Sequence, residues 1–302
     1  MKKVLVASAI AAAIGGMSVA QAESTLTGSL RYGINANSDA VTLQNYGSRI
    51  KYDGSNDAGV FGKLELRLAD SRNGTVVNRH YAVGMGGDWG KVSLGVLDPA
   101  FDAVGDRNLS WWNGGFGLLG SNEAHGGIRF DKSMGAVSIA LSAHAFADTV
   151  DDTGAALTNA DDAIDRVDAS LLYSADALTF GVAVASLAGG EPNNDGSKTA
   201  VHLGYKFDGG QVRATVGSQD ADFSGAAGDK SGLNLQAAFG NVYGWYGQTE
   251  VDGSNQTATH IGLGYTQSLS DRALIWYELF SSDPDDGSDA VTSLNAALKF
   301  DF

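Results

Sequence analysis

The chain has 302 residues, with 20 Lys and Arg against 35 Asp and Glu, a formal charge of −15, 41 glycines, three prolines and no cysteine. So acidic a chain repels phosphates, which argues against DNA or RNA as partners. Without cysteine, the fold is held neither by disulfides nor by a thiolate-ligated metal.

The first element reads as an export signal. Lys2 and Lys3 precede an apolar run from Val4 to about Ala13, and Ala20-Gln21-Ala22 supplies small residues at cleavage spacing. Residues 1–22 are therefore expected to be a cleavable signal peptide and residues 23–302 a single transmembrane β-barrel domain. Losing two lysines leaves 18 basic against 35 acidic residues, a charge of −17 over 280 residues. Beyond this segment nothing approaches the roughly 18 consecutive apolar residues that a membrane helix needs. An exported chain of this kind is either soluble or a barrel.

Along the rest of the chain, apolar and polar side chains alternate in segments of about ten residues, the period of a strand. Sixteen such segments lie near 24–35, 46–54, 60–70, 76–86, 89–97, 126–132, 136–146, 164–174, 177–187, 198–207, 211–219, 232–240, 241–250, 258–266, 272–280 and 292–302. The last is the clearest: Leu294, Ala296, Leu298, Phe300 and Phe302 point one way, Asn295, Lys299 and Asp301 the other. Connections alternate in length. Short ones fall at Gly54–Gly59, Gly87-Asp88, Ser133–Gly135, Ala175-Asp176, Asp208–Gly210, Gly240-Asn241 and Ser268–Asp271; long ones near 36–45, 71–75, 98–125, 147–163, 188–197, 220–231, 251–257 and 281–291. A soluble sandwich has no reason to gather every short turn at one end. A transmembrane antiparallel barrel of about 16 strands does, with short periplasmic turns and long external loops. Tyr52, Phe130, Tyr173, Tyr205, Phe239, Tyr265 and Phe302 sit on the apolar face near short turns or the C-terminus, as a periplasmic aromatic girdle would.

The opposite strand faces carry Arg31, Arg49, Lys51, Lys63, Glu65, Arg67, His144, Arg166, Asp168, Lys206, Arg213, Lys299 and Asp301. Turning Arg or Lys toward lipid near the midplane costs about 2–4 kcal/mol, so these groups face the lumen. A dozen ionised side chains cannot be desolvated, so the lumen holds water. The longest loop, 98–125, contains Trp111, Trp112, Phe116, Leu118 and Leu119, too apolar for a free external loop. Folded inward it would act as a constriction loop, setting Asp98, Asp102, Asp106 and Glu123 across the pore from wall arginines. Opposed charges there would produce a transverse field that favours polar solutes. The rival reading has the tryptophans capping the barrel or touching another subunit.

Acidic clusters stand at Asp151-Asp152 and at Asp283, Asp285, Asp286 and Asp289. Loop-bound calcium on Asp151, Asp152, Asp285 and Asp286 is one reading. The stretch 283–289 lacks the glutamate and spacing of an EF-hand, so solvated loops are the default and no cofactor is expected. No nucleophile elbow, H-E-x-x-H motif, P-loop or G-x-G-x-x-G turn occurs, and an enzyme is not expected.

In several stretches the chain resembles the Gram-negative general porins, of the alphaproteobacterial type. These are Gly47-Ser48-Arg49-Ile50-Lys51-Tyr52 with Val60–Leu68, Asn78-Arg79 through Trp89–Gly95, the exit Leu97–Val104, and the ending Leu298-Lys299-Phe300-Asp301-Phe302. The resemblance implies a homotrimer with one pore per subunit, narrowed by the third long loop. It also implies an outer-membrane setting among lipid and lipopolysaccharide, and recognition of Phe302 by the barrel-assembly machinery. By position Arg49 and Arg79 resemble the family's basic wall, to which Arg31, Arg67 and Arg129 are added by strand parity and place. Asp98, Asp102 and Asp106 resemble the acidic side. Two departures stand out. Glu123 and His125 occupy the stretch where relatives carry a further Arg, and Arg79 shares parity with outward Tyr81, Val83 and Met85, so a bulge must intervene or that face packs on the loop. The expected activity is passive diffusion of ions and small hydrophilic solutes with weak cation selectivity. A sugar- or amino-acid-selective channel would need a ladder of lumen aromatics, whereas the lumen residues read as mostly charged or small.

Overall fold

The computed structural model describes residues 23–38, 40–68, 76–105, 125–145, 164–187, 196–221, 228–253, 256–284 and 287–302. Their hydrogen bonds form one closed antiparallel sheet of seventeen segments. These are β1 (Glu23–Asn37), β2 (Val41–Asn45), β3 (Arg49–Ser55), β4 (Val60–Leu68), β5 (Val76–Gly87), β6 (Gly90–Leu97), β7 (His125–Met134), β8 (Val137–His144), β9 (Arg166–Ala175) and β10 (Leu178–Leu187). They continue with β11 (Ser197–Phe207), β12 (Gly210–Gln219), β13 (Lys230–Phe239), β14 (Val242–Val251), β15 (Gln256–Ser270), β16 (Ala273–Asp283) and β17 (Val291–Asp301). A four-residue helix, α1 (Asp102–Gly105), follows β6.

Segments β2 and β3 both pair with β1, through Ile34↔Leu43 and Gly28↔Ile50, so they are two halves of one stave. The barrel has sixteen staves. It closes where β1 meets β17 in the register Leu30↔Phe300 and Arg31↔Lys299. The break between β2 and β3 falls at Tyr46–Ser48. Gly47 there takes φ +75°, a conformation that a side chain would strain. The Asn45 Oδ1 accepts from the Ser48 amide at 2.8 Å, and the Tyr46 amide donates to the Arg31 carbonyl at 2.9 Å.

The stretch 36–45, expected as a long loop, is mostly strand: β1 runs to Asn37, β2 starts at Val41, and Ala36 pairs with Val41. Polar Asn35, Asn37 and Ser38 hid the alternation there, while backbone pairing is indifferent to side-chain polarity. The seven short turns expected from the sequence lie at 56–59, 88–89, 135–136, 176–177, 208–209, 240–241 and 271–272, all at one end, whereas β1 and β2 are joined closely at the other.

Polarity is inverted relative to a soluble protein. Leu26, Leu30, Ile34, Val83, Leu94, Val184, Leu203, Ile261, Leu263, Leu279 and Leu298 are exposed on the outer face. Glu65, Ser142, His144, Arg166, Asp168, His202, Gln236, Glu278 and Asn295 are buried inside. An apolar belt around a polar interior is the arrangement that a bilayer-spanning barrel requires.

Candidate functional site on the inner wall and its inward loop

The basic side is built on β3, β4 and β5. Arg49 lies opposite Arg67, and Lys51 opposite Glu65, all turned inward by strand parity. Between β4 and β5 the register slips: Glu65 pairs with His80 but Leu66 with Asn78, which leaves Arg79 as the extra residue of a β-bulge. The bulge resolves the parity conflict at Arg79, because Arg79 and His80 both reach Glu65. The Arg79 Nη1 and Arg49 Nη1 stand 2.8 and 3.1 Å from Glu65 Oε1, and Lys51 Nζ stands 3.1 Å from Oε2. His80 Nδ1 is 3.6 Å from the same Oε2, while its Nε2 lies 2.7 Å from Asp98 Oδ1. His80 thus joins the wall to the start of the loop.

From Asp98 to Gly105 the chain lies against the inside of the barrel. The Ala100 amide donates to Ser142 Oγ at 2.8 Å, and Arg129 Nη1 donates to the carbonyls of Asp98 and Pro99 at 3.0 and 3.2 Å. Phe101 and Val104 are wholly buried with Ala183, Ala185 and Ala200 of β10 and β11. At Gly181 a Cβ would lie 2.9 Å from Val104 Cγ2, so the small inner face of β10 leaves the room that the loop fills. Lys198 Nζ sits 4.3 Å from the Phe101 ring centroid, in cation–π geometry. Behind the loop, Ser142 Oγ donates to Asp168 Oδ2 at 3.2 Å, and Arg166 Nη2 is 2.6 Å from Asp168 Oδ1. Burial by itself would raise the Asp98 carboxyl, but the His80 hydrogen bond and the charges of His80, Arg79 and Arg129 outweigh it and hold the group below its ordinary range.

Of the acidic residues expected on the loop, Asp98 meets the wall through His80, and Asp102 opens α1. Asp106 and Glu123 lie outside the described residues, as do Trp111, Trp112 and the four aspartates considered for calcium, Asp151, Asp152, Asp285 and Asp286. Among the described residues no group of three or more His, Cys, Asp or Glu could hold a metal. Arg31, Arg49, Arg67, Arg79 and Arg129 all belong to the described barrel; Arg129 is clasped by Asp131 at 2.8 Å. Tyr52, Tyr173, Tyr205, Phe239, Tyr265 and Phe302 are exposed, and Phe130 is half-buried beside Trp89, ring centroids 6.4 Å apart.

Sequence reasoning missed His80, Ser142 and Lys198. His80 falls out of strand parity once the bulge is ignored, and the other two are ordinary inward polar positions until the loop is seated. It also missed an aromatic row on the inner face of β14–β16: Tyr243 stacks on Trp245 at 6.1 Å, and Trp245 on Phe280 at 6.4 Å. Trp276, wholly buried, meets Tyr46 edge-on at 5.6 Å. The lumen side of β14 and β16 therefore carries aromatic rings alongside the buried Glu278. The alternation was readable there, but both faces of β14 carry apolar residues, which blurs its inner side.

The channel architecture recurs in solved structures. The outer membrane channel DcaP of Acinetobacter baumannii superposes with a TM-score of 0.73 at 15% identity, covering 94% of this chain and 99% of that one. An OmpT of Vibrio cholerae, described as an outer membrane protein in trimer form, gives 0.70 at 15% over 93% and 99%. A mutant of the Rh. blastica porin gives 0.64 at 20% over 93% and 100%. At such identities the likeness is one of fold. No curated protein matches the chain significantly. Residues 7–283 match the Gram-negative porin family. With a closed sixteen-stave barrel, an apolar belt and a charged interior, the chain belongs to the Gram-negative porin family and is a channel of the outer membrane.

Proposed function

We propose that the channel is a water-filled pore for passive diffusion of ions and small hydrophilic solutes, narrowed on one side by the segment beginning at Asp98. The observation that carries this reading is the charged inner wall: Arg49, Lys51, Arg79 and His80 around Glu65, with Arg129 and Asp98 beside them. Such a set of ionised groups stays charged only in contact with water. The cluster and the loop's Asp98 and Asp102 form the constriction in this proposal, with Asp106 and Glu123 assigned to it by sequence alone.

Selectivity follows from two opposed contributions. The −17 charge of residues 23–302 concentrates cations at the mouths, whereas the described wall is rich in arginine. A weak cation preference is the expected balance. In the same proposal residues 1–22 are removed on export. The mature chain forms homotrimers, which the trimeric V. cholerae protein of the same fold supports. The outward aromatic row marks the periplasmic interface, external loops meet lipopolysaccharide, and Phe302 is read by the barrel-assembly machinery. Single-channel recording in a planar bilayer tests the core of this reading. A large ohmic step with a permeability ratio slightly favouring K+ over Cl− is expected; absence of any step in folded, inserted protein refutes it.

A further inference from the structure

The lipid-facing surface is uneven on one side of the barrel. Across β11–β14 its side chains alternate large and small, and the small ones meet. Val212 pairs with Ala237 and Ala237 with Gly244; one step farther from the short turns, Leu203 pairs with Ala214, Ala214 with Leu235 and Leu235 with Tyr246. Gly244, Ala237 and Ala214 form a floor below walls of Val212, Leu235 and Tyr246, and the hollow between them measures about 490 Å³. Around a Cβ placed on Gly244 the near atoms are the Gly262 carbonyl oxygen at 3.3 Å and Leu263 Cδ1 at 3.9 Å, both of the adjacent β15, so the face in front of Gly244 is open.

Chemistry and depth together define the occupant. Arg213, Gln236 and Trp245 alternate with these residues and turn their side chains to the lumen by strand parity. The hydroxyl at the edge, on Tyr246, already donates to Gln248 Oε1 at 2.9 Å. What remains facing outward is hydrocarbon, set in a belt that meets acyl chains. A gap at such a surface forfeits dispersion contact along its whole lining unless a chain enters it. The floor begins two residues in from Phe239 and Val242 and ends four in from Gly210. At about 3.4 Å per residue that is roughly 7–14 Å along the strands, within the half of an apolar band about 25 Å tall that adjoins the short turns. Short turns face the periplasm. The exposed rings of Tyr205 and Phe239 border the hollow on that side, where a lipid headgroup would sit.

We propose that this hollow on β12–β14 binds one acyl chain of a glycerophospholipid from the periplasmic leaflet. The chain descends past Tyr205 and Phe239 and lies over Gly244, Ala237 and Ala214. Acyl chains of lipopolysaccharide enter from the opposite end of the belt and would have to cross the midplane to reach Gly244. The site lies outside the pore and is independent of solute diffusion; it rests on the reading of the short-turn end as periplasmic.

Native mass spectrometry of the folded porin tests it, after mild detergent extraction from vesicles of phosphatidylethanolamine and lipopolysaccharide. One phospholipid per chain is expected to survive detergent exchange. A214L/A237L raises side chains into the hollow and is expected to lower that retention about tenfold. A169L, the same exchange on the outer face of β9 beside Val184, leaves it unchanged. Equal retention in the two variants overturns the site, as does retained lipopolysaccharide in place of phospholipid. A change in the number of chains per complex in A214L/A237L also overturns it, since the face is then a subunit contact. If the double variant fails to fold, the unaltered protein decides, because absence of a retained phospholipid is sufficient refutation. Protease cleavage of the long loops on intact cells checks the orientation separately. Single-channel conductance is expected to be unchanged in both variants, so loss of the lipid site would leave the diffusion reading standing.

Discussion

Three cations converge on Glu65, whose side chain is 8% exposed, so this one carboxylate holds the wall together from β3 to β5. Its partners are partly hydrated, Arg49 at 23% and Lys51 at 43%, which discounts the strength of each pair. E65Q keeps the shape and removes the charge. It is expected to lower unfolding stability by about 1–3 kcal/mol, read from a urea titration, and to move the reversal potential toward anions. Asp98 makes a pH prediction. Its carboxyl is held below the ordinary 3.8, so its contact with His80 contributes above about pH 4 and is lost as pH falls through the lowered value. Current noise from a loosened loop should therefore rise only below that pH in the unaltered protein, whereas D98N should show it already at pH 6. At this scale Arg49, Arg67 and Glu65 were legible, since strand parity alone turns them inward. Arg79 was named by family resemblance against its strand parity, and His80 was not named at all, because a bulge changes parity through backbone geometry that no single residue announces.

The segment from Asp98 through α1 lies against the inner wall of the barrel. It is seated by apolar contact as well as by polar clasps: Phe101 and Val104 fill a recess whose floor is Gly181, Ala183, Ala185 and Ala200. F101A should remove about 3–5 kcal/mol from that docking and release the segment from the wall, giving a noisier or larger conductance step. G181V should reach the same phenotype from the other side, since the added side chain meets Val104. Agreement of the two variants, with unchanged mobility of the folded barrel on a gel, is the check; a normal step in both would show that the segment does not narrow the pore. The apolar residues at 111–119 suggested an inward course for the loop; of that loop the described part, Asp98–Gly105, lies against the inner wall, and 111–119 lie outside the described residues. Its landing place was not legible, because a stripe of small residues on β10 and β11 fits equally well beneath a loop, a lipid or nothing.

For the whole molecule, the seam between β1 and β17 decides whether there is a barrel at all. The Gly28 amide donates to the Phe302 carbonyl at 2.9 Å, and the Phe302 amide donates back to the Gly28 carbonyl at 3.1 Å. A Cβ on Gly28 would clash with Phe302 Cζ and come within 2.8 Å of the Arg49 carbonyl oxygen, so the terminal ring and the backbone both need that glycine. G28V is expected to weaken closure, seen as migration at the unfolded position on an unboiled detergent gel where the unaltered protein migrates as a compact barrel. The alternation of oily and polar side chains and the spacing of short turns were enough to establish the barrel and its stave number, while its outer-membrane setting came from the family resemblance. Alternation and spacing suffice because strand period and bilayer thickness are local constraints, satisfied within each ten-residue segment. What the tertiary structure alone decided is which charges meet: that Glu65 gathers Arg49, Lys51 and Arg79, and that His80 spans to Asp98. Those outcomes depend on register, bulge and loop course across staves far apart in sequence, and side-chain distances across a sheet are not encoded in any local period.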